Sequence, residues 1–208
     1  TAMIGWTKVL RSGVTGERAD HALDAIERGG RAQAKLFEEL LDVSRIVAGK
    51  LTLDPHPTLL RELLEQVVEG ARPVASSKGL RLSSSLRGSF PVTWADSHRL
   101  RQVFDNVILN AIKFTPAAGE ISVSLERVDE GARVRVRDTG VGMRPELLPV
   151  IFERFRQGDS SSTRVQGGLG LGLTIAQHIV ELHEGRISAW SEGEGRGSTF
   201  TIELPLRP

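Results

Sequence analysis

The 208-residue sequence contains no cysteine and almost no excess of charge of either sign. Without cysteine, the fold has no disulfide framework and no thiolate metal site. The formal net charge of +1 argues against a general nucleic-acid binder, because such proteins neutralise phosphates with a basic surplus on one face. No apolar run approaches the roughly 18 to 20 residues that span a bilayer, and no signal peptide is readable. We therefore expect this chain to contact neither nucleic acid nor membrane.

The rest of the composition is that of a folded protein. Hydrophobic residues make up 39% and charged residues 25% of the chain, which is ordinary for a globular domain. A chain of this length can form one large domain or two small ones, and either can bury a core. The sequence begins with Thr1-Ala2-Met3, without an initiator methionine, so we expect it to be a fragment of a longer protein.

The first 50 residues have the pattern of a helical hairpin. One helix is predicted over residues 1–11, where Ser12-Gly13 stops it, and a second from Glu17 to Ala48. The second helix carries a broad apolar face made of Leu36, Phe37, Leu40, Leu41, Val43, Ile46 and Val47. A two-helix hairpin cannot bury this face alone, which favours a four-helix bundle made by two chains. The alternative is packing against the downstream domain.

The predicted second helix contains two consecutive glycines. Gly29-Gly30 is unfavourable there by about 1 kcal/mol per glycine relative to alanine, and it indicates either a bend or a close contact between helices. Further along, Pro55 and Pro57 end the helical pattern. We place the domain boundary just before them, which divides the chain into residues 1–50 and 51–208.

The second domain interleaves helices and short strands. The predicted elements are helices over 59–75, 97–114 (capped by Asp96) and 173–183, and strands over 81–86, 91–94, 120–127, 133–137, 186–191 and 199–204. Turns at 129–131 and 193–197 join neighbouring strands as hairpins. The fold class is therefore α+β, with a mixed or antiparallel sheet and helices over one face.

The first motif with chemical content is Asp138-Thr-Gly-Val-Gly142, at the end of a predicted strand. A carboxylate only accepts hydrogen bonds, so a half-buried Asp138 would select a ligand edge that carries a donor, such as the exocyclic amine of adenine. Gly140 and Gly142 would let the backbone turn tightly and approach a planar base. The alternative is an ordinary turn between two elements.

The second motif is the glycine-rich segment over residues 167–172, just before an amphipathic helix. Backbone N–H groups at the start of a helix bind anions such as phosphates. The segment is neither a Walker A loop nor a dinucleotide-binding fingerprint. The alternative is a turn that only leads into the helix.

The third motif is a polar stripe on the helix over residues 102–114. Asn106, Asn110 and Lys113 follow one another at spacings of four and three, beside an apolar side formed by Val103, Val107, Ala111 and Phe114. An Asn carbonyl oxygen is a suitable ligand for Mg²⁺, and Lys113 would meet a phosphate as a point charge. The alternative is a solvated polar face.

Together these motifs resemble, in order and spacing, the N, G1, F and G2 boxes of bacterial sensor histidine kinases. The boxes correspond to residues 106–115, 138–142, 152–155 (Phe-Glu-Arg-Phe) and 167–173. Residues 40–46, followed by Gly49-Lys50, resemble the end of that family's dimerisation helix. The resemblance implies a dimerisation hairpin over 1–50 and a catalytic ATP-binding domain over 51–208, the latter a Bergerat-type α/β sandwich of the GHKL superfamily.

The resemblance also implies the binding residues for ATP and Mg²⁺. Asn110 would hold Mg²⁺, Asp138 would contact adenine, and Gly140 and Gly142 would approach the base. The remaining implied contacts, mostly to the phosphates, are Asn106, Lys113, Phe155, Arg164, Gly168, Leu169, Gly170, Leu171, Gly172 and Thr199. Phe155, together with Phe152, would anchor a mobile lid, and Arg164 would contact the γ-phosphate from that lid.

One departure from the family pattern concerns the phosphoacceptor. The family phosphorylates a histidine in an H-[ED]-x-x-[ST]-P motif, and none of His21, His56, His98, His178 and His183 stands in that context. We therefore expect the acceptor just upstream of Thr1 and assign no catalytic base or acceptor within the chain. The implied protein is a cytoplasmic, homodimeric kinase core that transfers the γ-phosphoryl group of ATP to that histidine, and then to an aspartate of a response regulator receiver domain.

Two other functions remain in view at this point. The first is an ATPase of the gyrase or MutL kind, which carries a Glu as general base where this chain has Asn106. An amide cannot take up that proton, so Asn106 speaks against this function. The second is a nucleotide-binding dimerisation scaffold without catalytic activity, against which the intact Asn110, Asp138 and glycines speak.

Overall fold

The computed structural model describes residues 2–154 and 170–206, which fall into two compact units. The first unit comprises Thr1–Lys50 and the second Leu51–Pro208. This division coincides with the boundary placed before the two prolines. No helix in the described ranges is both long enough and apolar enough to cross a membrane.

The first unit is a helical hairpin of α1 (Ala2–Arg11) and α2 (Glu17–Val47). The rings of Trp6 and His21 pack edge to face between the two helices, with centroids 5.2 Å apart. A Cβ atom at Gly29 would lie 2.7 Å from Cγ of Met3, whereas no atom lies within 4 Å of the same position at Gly30. Gly29 therefore marks a close contact between the helices, and α2 continues through both glycines.

The apolar face of α2 is largely exposed in the single chain. Its exposed large side chains are Leu36, Phe37, Leu40, Leu41 and Val47. A contiguous exposed apolar face is typical of a surface that meets another protein.

The second unit contains eleven elements in the part that the structure describes. In chain order they are β1 (His56–Thr58), α3 (Leu60–Ser77), β2 (Arg81–Leu86), β3 (Thr93–Ala95), α4 (Ser97–Phe114), β4 (Glu120–Val128), β5 (Gly131–Asp138), a 3-10 turn (Leu148–Val150), α5 (Gly172–Leu182), β6 (Arg186–Trp190) and β7 (Ser198–Pro205).

Five strands form the main sheet, in the order β2-β4-β5-β7-β6. β2 runs parallel to β4, and the other neighbours are antiparallel. Alternate residues of the central strands are buried on the face towards the helices, among them Val123, Val134, Val136, Phe200 and Ile202. From the helices, Leu64, Phe104, Val107, Ile175 and Ile179 complete this core. The predicted α+β class with a mixed sheet is confirmed.

Several details differ from the sequence predictions. A short strand, β1, pairs antiparallel with β3 although it contains Pro57. Proline is tolerated there because a two-stranded sheet has only edge strands, where a missing N–H need not break a ladder. β3 begins at Thr93 rather than at residue 91. Phe114, expected on the apolar side of its helix, is 38% exposed, because it is the last residue of α4 and its ring lies beside the Lys113 ammonium.

The start of α4 is fixed by residues distant in sequence. The Asp96 carboxylate accepts the N–H groups of Arg99 and Asp54, each at 3.0 Å, which confirms the predicted cap. The Asp96 N–H donates to Nε2 of His183 at 3.1 Å, while Nδ1 of His183 lies 2.9 Å from the Ile179 carbonyl. The imidazole is therefore neutral, with its proton on Nδ1. Burial lowers the pKa of His183, against the opposing influence of its hydrogen bond to Ile179.

The contrast between Gly29 and Gly30 leads to a first prediction. Gly30→Ala should stabilise the helical hairpin by about 1 kcal/mol, because alanine has the higher helix propensity and the new methyl group meets no neighbour. Gly29→Ala should gain less or lose stability, because its methyl group collides with Met3. Thermal unfolding followed by circular dichroism measures both variants. Equal stabilisation by the two substitutions would show that the contact at Gly29 is wrong.

The neutral His183 leads to a second prediction. Because its folded pKa is lowered, the unfolded chain binds more protons below a pH of about 6.5, and stability falls as the pH falls through that value. Between about pH 7.5 and 5.5 the melting temperature of the wild type should fall more steeply than that of His183→Gln, which cannot titrate there. Identical slopes in the two proteins would contradict the prediction.

Candidate functional site

The centre of the site is Asp138, the last residue of β5, which is only 5% exposed. Its Oδ1 atom accepts the N–H groups of Gly140 at 2.8 Å and Ser198 at 3.2 Å. Burial raises the pKa of the Asp138 carboxyl, and the two hydrogen bonds oppose this rise because they favour the ionised form. From the described residues, Oδ2 accepts no hydrogen bond, which leaves that oxygen for a donor on a ligand.

The backbone after Asp138 is held between the end of α4 and the turn that precedes β7. The Val141 N–H donates to the Phe114 carbonyl at 3.1 Å. On the other side, the Gly195 N–H donates to the Val141 carbonyl at 2.7 Å and the Gly197 N–H to the Gly140 carbonyl at 3.1 Å. These hydrogen bonds set the direction in which the Asp138 loop leaves the sheet.

The two glycines of the Asp138 loop are required by this packing. A Cβ atom at Gly140 would lie 2.5 Å from the Phe114 carbonyl oxygen. Gly142 has a φ of +67°, and a Cβ atom there would collide with the Gly193 carbonyl oxygen. Any larger residue would move the loop away from α4 or from the turn. The two glycines thus allow the Asp138 loop to pack closely against α4 and against the turn before β7. The motif alone did not predict this role.

Ser191 joins the same loop to the turn and was not singled out from the sequence. Its hydroxyl donates to the Gly197 carbonyl at 2.7 Å and accepts the N–H groups of Met143 at 3.0 Å and Gly193 at 3.2 Å. A single serine after a strand gives no sequence signal, because its three partners are backbone groups. Ser191 therefore positions the wall of the site without belonging to any motif.

The polar stripe on α4 divides into two parts. Asn106 is buried, and its Nδ2 donates to the Gly172 carbonyl at 3.0 Å, so it joins α4 to the first residue of α5. Asn110 and Lys113 are half-buried, and the Asn110 amide makes no hydrogen bond to the residues that the structure describes. An amide oxygen of this kind fits Mg²⁺, which takes few protein ligands when phosphates are present.

The start of α5 lies against this stripe. A Cβ atom at Gly172 would be 3.3 Å from Oδ1 of Asn106. Gly170 has a φ of +71°, and the Leu171 side chain is fully buried, so Leu171 can offer a ligand only its backbone. Phe152 is joined to α5 by a hydrogen bond from Thr174 Oγ1 to its carbonyl, at 2.7 Å.

Of the remaining predicted residues, four cannot be placed and one lies elsewhere. Phe155, Arg164, Gly168 and Leu169 fall outside the described residues. Thr199 pairs with Arg137 and Trp190 in the sheet, one residue after the Ser198–Asp138 pair. Since successive side chains of a strand alternate between faces, Thr199 lies on the face opposite Asp138, and the structure does not bring the two together.

Comparison with known proteins gives a consistent result. Residues 95–208 match the family described as histidine kinase-, DNA gyrase B-, and HSP90-like ATPase. The signal transduction histidine-protein kinase BarA of Escherichia coli strain K12 is 37% identical, over 99% of this chain and 23% of BarA. Hybrid signal transduction histidine kinase L of Dictyostelium discoideum is 36% identical, over 99% of this chain and 12% of its own length.

A solved structure shares the fold. Full-length ShkA, crystallised in complex with AMPPNP, superposes with a TM-score of 0.78 at 31% identity, over 93% of this chain and 40% of that chain. The chain spans less than a quarter of the length of the two curated relatives. The matched family covers more than half of the chain, including α4, Asp138 and α5, and the resemblance drawn from the four boxes is confirmed. The chain belongs to the family of histidine kinase-, DNA gyrase B- and HSP90-like ATPases, on its sensor histidine kinase branch.

Proposed function

We propose that this chain is the catalytic core of a sensor histidine kinase, which binds ATP with Mg²⁺ and donates the γ-phosphoryl group to a histidine outside the chain. From there the phosphoryl group passes to an aspartate of a response regulator receiver domain. The observation that carries this proposal is Asp138, a buried carboxylate with one oxygen held by backbone N–H groups and the other free of the described residues. The names of the two curated relatives, both histidine kinases, support it.

Asp138 serves as the adenine contact in this proposal. Its free oxygen accepts a hydrogen bond from the exocyclic amine of adenine, and guanine presents a carbonyl oxygen at the corresponding position. Two acceptors facing each other in a buried site leave the carboxylate unpaired, which is costly. The N–H groups of Gly140 and Ser198 stabilise the ionised carboxylate that this recognition requires.

The other wall of the site serves the phosphates. Asn110 provides the amide oxygen that holds Mg²⁺, and Lys113 provides a positive charge. Gly170, Leu171 and Gly172 offer backbone N–H groups at the start of α5. Asn106 holds α4 and the start of α5 in register through its bond to Gly172. Bound Mg²⁺ neutralises the negative charge of the phosphate oxygens.

The protein's own contribution is therefore positioning and charge complementarity. Asn106 occupies the place where the gyrase-type ATPases have a general base, and its amide is already bonded to the Gly172 carbonyl. Nothing at that position takes a proton from water, so transfer to another side chain is favoured over hydrolysis.

The exposed apolar face of α2 supports a homodimer. Leu36, Phe37, Leu40 and Leu41 are exposed in the single chain, and a self-complementary interface between two hairpins would bury them. In this proposal the four-helix bundle of the dimer presents the acceptor histidine to the ATP-binding unit.

The metal assignment is tested by Asn110→Asp. A carboxylate would bring a negative charge against the phosphates, so the affinity for Mg-ATP should fall by at least about tenfold, while the melting temperature changes little. Isothermal titration calorimetry measures the affinity. Gln102→Glu is the matched control, since it makes the same change on the same helix about 12 Å away along its axis. An unchanged affinity in Asn110→Asp would show that the metal assignment is wrong.

The adenine contact is tested by Asp138→Asn. We expect the affinity for ATP to fall by about 10- to 100-fold, the range for losing a hydrogen bond to a charged group, and the preference for ATP over GTP to shrink. Thr199→Val, on the opposite face of the sheet, should leave both quantities unchanged. If Asp138→Asn keeps the wild-type preference, adenine is recognised elsewhere. If Mg-ATP binds but a longer chain containing the acceptor histidine forms no phosphoprotein, a non-catalytic scaffold is favoured.

A further inference from the structure

Lys78, immediately after α3, reaches across to the end of α4. Its ammonium group donates hydrogen bonds to the carbonyl oxygens of Ile112 and Lys113, both at 2.7 Å. These carbonyls belong to the last turn of α4, where the carbonyl groups of a helix have no N–H partner within the helix. A positive charge at this end is also favoured by the helix dipole.

The remaining carbonyls of that turn have partners as well. The Ala111 carbonyl accepts the Thr115 N–H at 3.1 Å and the Thr115 hydroxyl at 2.7 Å. The Phe114 carbonyl accepts the Val141 N–H at 3.1 Å. Each of the last four carbonyl groups of α4 is therefore satisfied, and Lys78 alone satisfies two of them.

This turn is the part of α4 that faces the nucleotide in the proposed function. Lys113 lies within it, Asn110 lies one residue before Ala111, and the Phe114 carbonyl sets the position of Gly140 in the Asp138 loop. If the two carbonyls lost Lys78, the turn could fray, and the side chains of Asn110 and Lys113 would lose their fixed direction. Among the described residues, the Lys78 ammonium group donates to these two backbone carbonyls and makes no hydrogen bond to a side chain of the site.

We propose that Lys78 is a positioning residue for nucleotide binding: its ammonium group fixes the last turn of α4, and through it the direction of Asn110 and Lys113 towards Mg²⁺ and the phosphates. The inference rests on the proposed function. It adds a residue from outside the four boxes, immediately after a different helix, to the set that determines the affinity for Mg-ATP.

Helix α3 offers a matched control for a purely structural role. Arg72, six residues before Lys78 and within α3, donates from Nη1 to the Leu82 carbonyl at 2.9 Å and pairs with Glu69. Like Lys78, it is a cation that joins α3 to backbone elsewhere in the unit. Unlike Lys78, its partner is the edge strand β2 and not α4. Removing either side chain should lower the stability of the unit, but only the loss of Lys78 should alter the nucleotide site.

The experiment measures the dissociation constant of ATP with Mg²⁺ and with EDTA, for the wild type, Lys78→Met, Lys78→Arg and Arg72→Met. All measurements are made well below each protein's melting temperature. Lys78→Met should bind Mg-ATP about tenfold more weakly, as expected for a group that orients a metal ligand, and its gain in affinity from Mg²⁺ should be smaller than in the wild type. Lys78→Arg, which keeps the charge and the donors, should restore most of both quantities.

The outcomes separate this inference from the function on which it rests. Arg72→Met should show the wild-type affinity and the wild-type gain from Mg²⁺, whatever its melting temperature. If Lys78→Met behaves like Arg72→Met, the inference is overturned while ATP binding stands. A wild type that does not bind ATP overturns both. Should Lys78→Met fail to fold, Lys78→Gln, which keeps amide N–H donors without the charge, takes its place, and a wild-type gain from Mg²⁺ in that variant would overturn the inference.

Discussion

A buried carboxylate must have hydrogen-bond donors, and the second unit is arranged around this constraint at Asp138. The donors are the N–H groups of Gly140, two residues further on, and of Ser198, in the neighbouring strand. For Gly140 to reach the carboxylate, the loop must lie against the end of α4 without a side chain in between. Ser191 then fixes the turn that closes the other side. The geometry of the candidate site thus follows from the hydrogen bonds that backbone N–H groups donate to the Asp138 carboxylate.

Helix α4 is the second constraint, because both walls of the site depend on its position. It contributes the polar stripe, it touches the Asp138 loop at its last residue, and its Asn106 amide holds the first residue of α5. At neither end of α4 are the backbone hydrogen bonds completed by neighbouring residues alone. The start uses Asp96 held by His183, and the end uses the ammonium group of Lys78. A rigid helix of this kind suits the positioning role that we propose for the site.

The sequence predicted what periodicity and residue type can show. The bounds of α4 were predictable from the capping Asp96 and the regular apolar side of the helix. Asp138 and its glycines were recognisable as a candidate site because a predicted strand ends there on a charged residue. Ser191, His183 and Lys78 were not predictable as partners, because each bonds to backbone groups, which are the same at every position. Thr199 shows a related limit, since a shift of one residue in register moves a side chain to the other face of the sheet. The strand β1 was missed because Pro57 normally argues against one.

The distant partners at the two ends of α4 also bear on how the unit folds. The bond from Asp96 to His183 joins residues 87 positions apart, and the bonds from Lys78 to Ile112 and Lys113 span 34 and 35 positions. Contacts of such sequence separation close long loops, and the chain entropy lost in closing them must be offset by the rest of the fold. The start of α4 therefore depends on the end of α5, and a chain that ended before α5 would lack the His183 partner of the Asp96 N–H.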